Sequence, residues 1–112
     1  MAQSVIDSEA IYSSLADDPC MGELVEMYIE EMPARIAALE QAFASGDREA
    51  LRTVAHQMRG AAGSYGFETL TVSAGILETA IHAGESPEAV QRAFGELISA
   101  CRRIRAGVRP NV

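Results

Sequence analysis

His56 is the residue whose type and surroundings most invite chemistry. It sits in the stretch Asp47 to Phe67, DREALRTVAHQMRGAAGSYGF. Wound as a helix at about 100° per residue, this stretch gathers Leu51, Val54, Ala55, Met58, Ala62 and Tyr65 on one side, a face for burial. His56 falls about 140° from Leu51, Gly60 about 180° and Gly63 about 120°, so all three look outward. Arg52 and Arg59 fall at about 100° and 80°, on the shoulder beside the histidine. An outward imidazole is partly neutral at pH 7 and nucleophilic through a ring nitrogen. If it accepts a phosphoryl group, the new negative charge stands within a turn of two guanidinium groups, which pair with phosphate oxygens while staying charged. Small residues at 60 and 63 leave room for another active site to close over the ring. The plainer reading of these glycines, each costing about 1 kcal/mol against Ala inside a helix, is that they end the helix or admit a close neighbour.

Other chemistries find less support. His82 lies at a helix C-terminus on the solvent side, where a partial positive charge suits the dipole. Two histidines, neither matched to cysteines or acids at ligand spacing, do not make a metal site. There is no nucleophile elbow for a serine hydrolase. The runs GAAG and GSYGF lack the preceding strand and the lysine of a phosphate-binding loop.

The elements that must position His56 come from a chain of 112 residues, which fits a single domain, 1–112, with a continuous core. Nine basic against sixteen acidic side chains give a net charge of −7, which argues against nucleic-acid or anionic-membrane partners. Cys20 and Cys101 belong to no C-x-x-C pattern and are expected to be buried thiols in a reducing compartment. No secretory signal and no run of roughly 18 apolar residues is visible, so a cytoplasmic protein is expected.

Read in order, Asp7 or Ser8 can cap a short helix carrying Ile11 and Leu15, stopped by Asp17-Asp18-Pro19. From about Cys20 to Ala44, Met21, Leu24, Val25, Tyr28, Met32, Ile36, Leu39 and Phe43 recur at spacings of three and four. Pro33 interrupts this stripe without shifting its phase, which favours one bent helix over two. Ser45-Gly46-Asp47 then serves as a tight turn, with Gly46 as left-handed C-cap and Asp47 as the next N-cap. The histidine helix follows from Asp47 to at least Gly60, and Gly66 closes it or parts it from the next. A further helix from Phe67 to Ala83 turns Leu70, Ala74, Leu77 and Ile81 inward, with Gly84 past its end. Ser86-Pro87-Glu88 opens the last helix, whose apolar face runs through Val90, Ala93, Phe94, Leu97, Ile98, Cys101 and Ile104. Arg102, Arg103 and Arg105 suit its C-terminus, and residues 107–112 are expected to fray. No alternating strand pattern appears. The expected fold is all-α, an antiparallel four-helix bundle with a short additional N-terminal helix.

At this point the residues around His56 resemble a known signature. His56, a hydrophobe two later (Met58), a base three later (Arg59), glycine four later (Gly60), small residues Ala61 through Ser64 and glycine ten later (Gly66) match that of histidine-containing phosphotransfer (HPt) domains. Met27-Tyr28, Pro33, Gly46-Asp47 and Leu77-Glu78 extend the likeness over nearly the whole chain. The family usually carries lysine where this chain has Arg59, which keeps the charge but presents a flatter, forked group. The resemblance implies a four-helix bundle that carries a phosphoryl group on His56 between the aspartates of receiver domains, or between a receiver and a hybrid sensor histidine kinase. It implies attack through Nε2, phosphate stabilisation by Arg59, access provided by Gly60, and secondary parts for Arg52 and Gly63. It implies no intrinsic cofactor, the Mg²⁺ belonging to the receiver. It also implies a carrier rather than an autonomous kinase, and a monomer is expected. Gln57, about 120° from Leu51 in the other direction, reads as a packing or hydrogen-bonding residue. Exposed apolar groups of the first two helices would form the docking surface. The competing class is a non-catalytic helical adaptor that binds a receiver or kinase without carrying phosphate.

Overall fold

The computed structural model describes residues 10–15 and 17–105. Four helices follow one another: α1 (Gly22–Ser45), α2 (Arg48–Ser64), α3 (Glu68–His82) and α4 (Pro87–Arg103). Two short strands, β1 (Ile11–Tyr12) and β2 (Ile104–Arg105), bracket them. Each helix packs on its neighbour in the chain, and α1 closes on α4. There Phe43 and Phe94 stack with ring centroids 4.2 Å apart. The mostly helical, four-helix architecture agrees with the expected all-α class.

The turns are set by local chemistry. Gly46 takes φ 75°, a left-handed conformation that a β-carbon disfavours, and ends α1. The Asp47 carboxylate then accepts from the Ala50 amide at 3.1 Å, satisfying one of the free donors of α2. Ser86 caps α4 in the same way through the Ala89 amide at 3.2 Å, with Pro87 at the first helical position. Helix α1 continues through Pro33 as one element. Its inward side is Val25, Tyr28, Met32 and Leu39. Leu24, expected in that stripe, is exposed, because it lies at the margin of an arc whose centre fills the core. On α3 the expected Leu70, Ala74, Leu77 and Ile81 are all buried.

The short additional helix expected around Ile11 and Leu15 is not formed there. Ile11 and Tyr12 are extended and pair in parallel with Ile104 and Arg105. A β-branched and an aromatic residue favour that state, and Ser13 draws the chain out of helix by accepting from the Leu15 amide at 2.9 Å. The proposed caps Asp7 and Ser8 lie outside the described residues, as do residues 107–112. Ile104 is buried as expected but belongs to β2, and Arg105 lies beyond the last helical turn. Two-residue strands are too short to leave an alternating pattern in the sequence.

The strap through β1 reaches the junction of α2 and α3. The Ser13 hydroxyl donates to the Tyr65 carbonyl, and the Ser14 amide donates to the Gly66 carbonyl at 2.9 Å. Gly66 has φ 81°, and a β-carbon there would stand 2.7 Å from the Ser13 hydroxyl. Glycine is therefore required for backbone and space alike. The strap thus holds the turn between α2 and α3, which sets the register of the two helices.

Candidate functional site

Helix α2 buries Leu51, Ala55, Met58 and Ala62 and turns His56 outward, as the angles predict. The imidazole side chain is 59% exposed, and its Nδ1 lies 2.8 Å from Oε2 of Glu78 on α3. An ionised carboxylate only accepts, so Nδ1–H is the donor in this contact, and in the neutral ring Nε2 then keeps its lone pair. The Glu78 side chain is itself only 15% exposed. Its other oxygen, Oε1, is buried without a hydrogen bond and faces Arg59 Nη1 at 3.4 Å. One carboxylate therefore spans the ring and the guanidinium, fixing the tautomer of the first and steadying the second.

Arg59 reaches Glu78 by crossing Gly75 on α3, where an added β-carbon would touch Arg59 Cδ at 3.4 Å. Gly60 has nothing within 4 Å of the place a side chain would begin. It is neither a helix end nor a packing contact, so α2 bears its propensity cost while leaving open space one turn from His56. Gly63 faces Thr71 of α3, whose hydroxyl would stand 3.6 Å from a β-carbon. That spacing is an ordinary contact and places Gly63 at the helix junction rather than at the ring.

Arg52 is held on its own helix. Its guanidinium hydrogen-bonds Glu49, three residues earlier on α2. The hydrogen bond and charge of Glu49 raise the Arg52 pKa, with a smaller contribution from Glu78. The same bond lowers the pKa of Glu49. Gln57 is exposed and borders a shallow cleft with Arg35, Ala38, Val54 and Met58, so it is not a core residue. His82 ends α3 in solvent. Among the cysteines, Cys101 is buried and free, and burial pushes its thiol up to about 12. Cys20 is also free but exposed, contrary to expectation, because it precedes α1 in an exposed turn capped by Asp18.

The structure thus brings together His56, Arg59, Gly60 and a residue to which the sequence reading gave no role, Glu78. A signal for it existed. Glu78 lies about 40° around the helix from Ala74, at the edge of the buried stripe, where a carboxylate needs a partner. What the sequence lacked was the register that sets Glu78 opposite His56.

Arranged this way, an exposed imidazole with a free Nε2, a proton held at Nδ1 and a cation one turn away can act as a nucleophile toward an electrophile brought by another molecule. Among the described residues no cluster of three or more metal-ligating side chains exists, and no helix is long and apolar enough to cross a membrane. The chain has no significant match among curated proteins or among solved structures. The family model described as Hpt domain matches residues 23–107, spanning all four helices and His56. The chain belongs to the Hpt domain family, whose members serve histidine phosphotransfer in phosphorelays.

Proposed function

We propose that this chain, as one domain, carries a phosphoryl group on Nε2 of His56 between receiver-domain aspartates, or between a receiver and a hybrid sensor histidine kinase. The observation that carries the reading is the 2.8 Å contact of His56 Nδ1 with Glu78, which leaves Nε2 as the free nucleophile. In the transfer the Nε2 lone pair attacks the phosphorus of a phosphoaspartate in line. The N–P bond forms as the bond from phosphorus to the aspartyl oxygen breaks, and the aspartate leaves as a carboxylate. Positive charge that develops on the ring is balanced by Glu78 at Nδ1–H. Negative charge on the phosphoryl oxygens is balanced by Arg59, after a short swing from Glu78. Return to a second receiver reverses these events. Mg²⁺ and the acidic pocket belong to the receiver, and Gly60 lets that pocket come down over the ring. Arg52, tied to Glu49, adds to the local field at longer range, and Gly63 keeps α3 close. Leu24 and Met27, exposed on α1, supply apolar docking surface. A monomeric cytoplasmic carrier suits these roles.

The test is to mix the chain with a phosphorylated receiver and look for an acid-labile, base-stable phosphoramidate. Wild type should label and His56→Gln should not, with unchanged melting. Equal labelling of His56→Gln would end the proposal for this residue. Binding insensitive to both phosphorylation and the imidazole would favour the adaptor reading instead.

A further inference from the structure

Beyond Arg59 a groove of about 540 Å³ runs between α3 and α4. We infer that this groove extends the receiver-docking surface, so that a receiver seated on His56 also buries Val72 and Ile76. The inference rests on the function proposed above and names a second contact area for the same partner.

Val72 and Ile76 are 60% and 50% exposed and lie one turn apart on α3. Single exposed apolar residues are ordinary, but an adjacent pair lining a cleft marks a contact surface. The groove is continuous with the site, because Arg59 is its wall: the guanidinium faces Glu78 while the stem crosses Gly75. Scale supports the same occupant. A standard interface takes about 800 Å² from each partner, equivalent to a disc of roughly 16 Å radius. Ile76 and Val72 precede Glu78 along α3 by about 3 and 9 Å of helix rise. Around the helix Val72 and Ile76 are turned about 120° and 160° from Glu78, so a partner seated on His56 reaches them by extending past Arg59 at the groove's wall.

Charge points the same way. The chain carries net charge −7, yet the groove sets Arg59 and Arg92 against Glu85 and Glu96 and is locally balanced. Among the described residues Arg92 makes no ion pair, although Glu88 and Glu96 stand four residues to either side. Its guanidinium is available to a carboxylate from outside. Acids that flank a receiver's phosphoacceptor pocket would meet Arg92 at this edge rather than the acidic excess of the whole chain. A second copy of the chain would bring another seven excess negative charges, so it is the less suitable occupant.

The experiment measures single-turnover phosphoryl transfer from a phosphorylated receiver domain to the full chain over a range of receiver concentrations. Val72→Glu, Ile76→Glu and Arg92→Glu are compared with wild type, each checked for an unchanged melting curve. The expected result is a half-saturating concentration about tenfold higher for Ile76→Glu and Val72→Glu, with the rate at saturation within about twofold of wild type. Arg92→Glu should give a smaller rise that shrinks as salt is added. Half-saturation at the wild-type concentration for all three overturns the groove and leaves the proposed function standing. Wild type that accepts nothing from any receiver overturns both. Sedimentation showing a wild-type dimer that the same substitutions dissociate overturns the inference in favour of a second copy.

Discussion

On one side of α2, Leu51, Ala55, Met58 and Ala62 disappear into a core shared with the other helices. On the other, His56, Arg59 and Gly60 face solvent, and one residue, Glu78, engages both the ring and the guanidinium. The buried side depends on many apolar contacts, none of them directional. The exposed side depends on two polar distances, 2.8 and 3.4 Å, from a single carboxylate. The difference teaches that stability and reactivity reside on opposite faces of one helix and should respond to different substitutions.

The hardest test of that separation is on the buried face. Leu51 is 2% exposed, and Leu51→Ala removes its packing and leaves a cavity. It should cost about 2–5 kcal/mol, seen as a melting temperature lower by roughly 10 °C or more. Below the melting range the folded fraction should still accept phosphoryl groups on His56 at the wild-type rate. A rate loss beyond the loss of folded protein would mean that the two faces are coupled.

The legibility of the sequence divides along the same line. The buried face, the capped turns at Gly46-Asp47 and Ser86-Pro87, and the outward direction of His56 all follow from periodicity and local hydrogen bonding within a few residues. Glu78 stands 22 residues from His56, and the β1–β2 pairing joins the two ends of the described chain. Such contacts depend on tertiary register, which the strap over Gly66 helps to fix and which no local pattern encodes. Arg52 shows the converse case. Its angle on the helical wheel placed it beside His56, but a closer acid on its own helix, Glu49, holds it.

On the exposed face, Glu78→Gln keeps the volume and removes the charge. The amide oxygen can still accept from Nδ1, but its NH₂ group then meets the Arg59 guanidinium, donor against donor. Transfer at saturating receiver should slow by between about tenfold and a hundredfold, the usual cost of loosened positioning. Half-saturation should move little, and melting should stay near wild type. Nitrogen-15 spectra of the ring should show the Nε2–H tautomer gaining population. A slower rate without that tautomer change would assign Glu78 a structural role only.

The smallest effect asks whether the core tolerates a polar atom without a partner. Tyr28 is 1% exposed, stacked on Tyr65 at 4.7 Å and Phe67 at 5.8 Å, and its hydroxyl has no hydrogen bond. Burial pushes the phenol up from 10 to about 12, partly opposed by the Arg35 guanidinium 5.0 Å from the ring centroid. Between those values the unfolded chain releases a proton that the folded chain retains, so stability falls as pH rises through that window. Cys101 acts with the same sign from 9 to about 12. Tyr28→Phe keeps the ring stack and deletes the unpaired hydroxyl. It should raise stability at pH 7 by about 1 kcal/mol, and it should flatten the alkaline decline above pH 10 while leaving the part that begins near pH 9. Urea midpoints at pH 7 and pH 11 measure both effects. A variant less stable than wild type at pH 7 would mean that the hydroxyl is satisfied in solution, and the buried face would then carry a polar contact of its own.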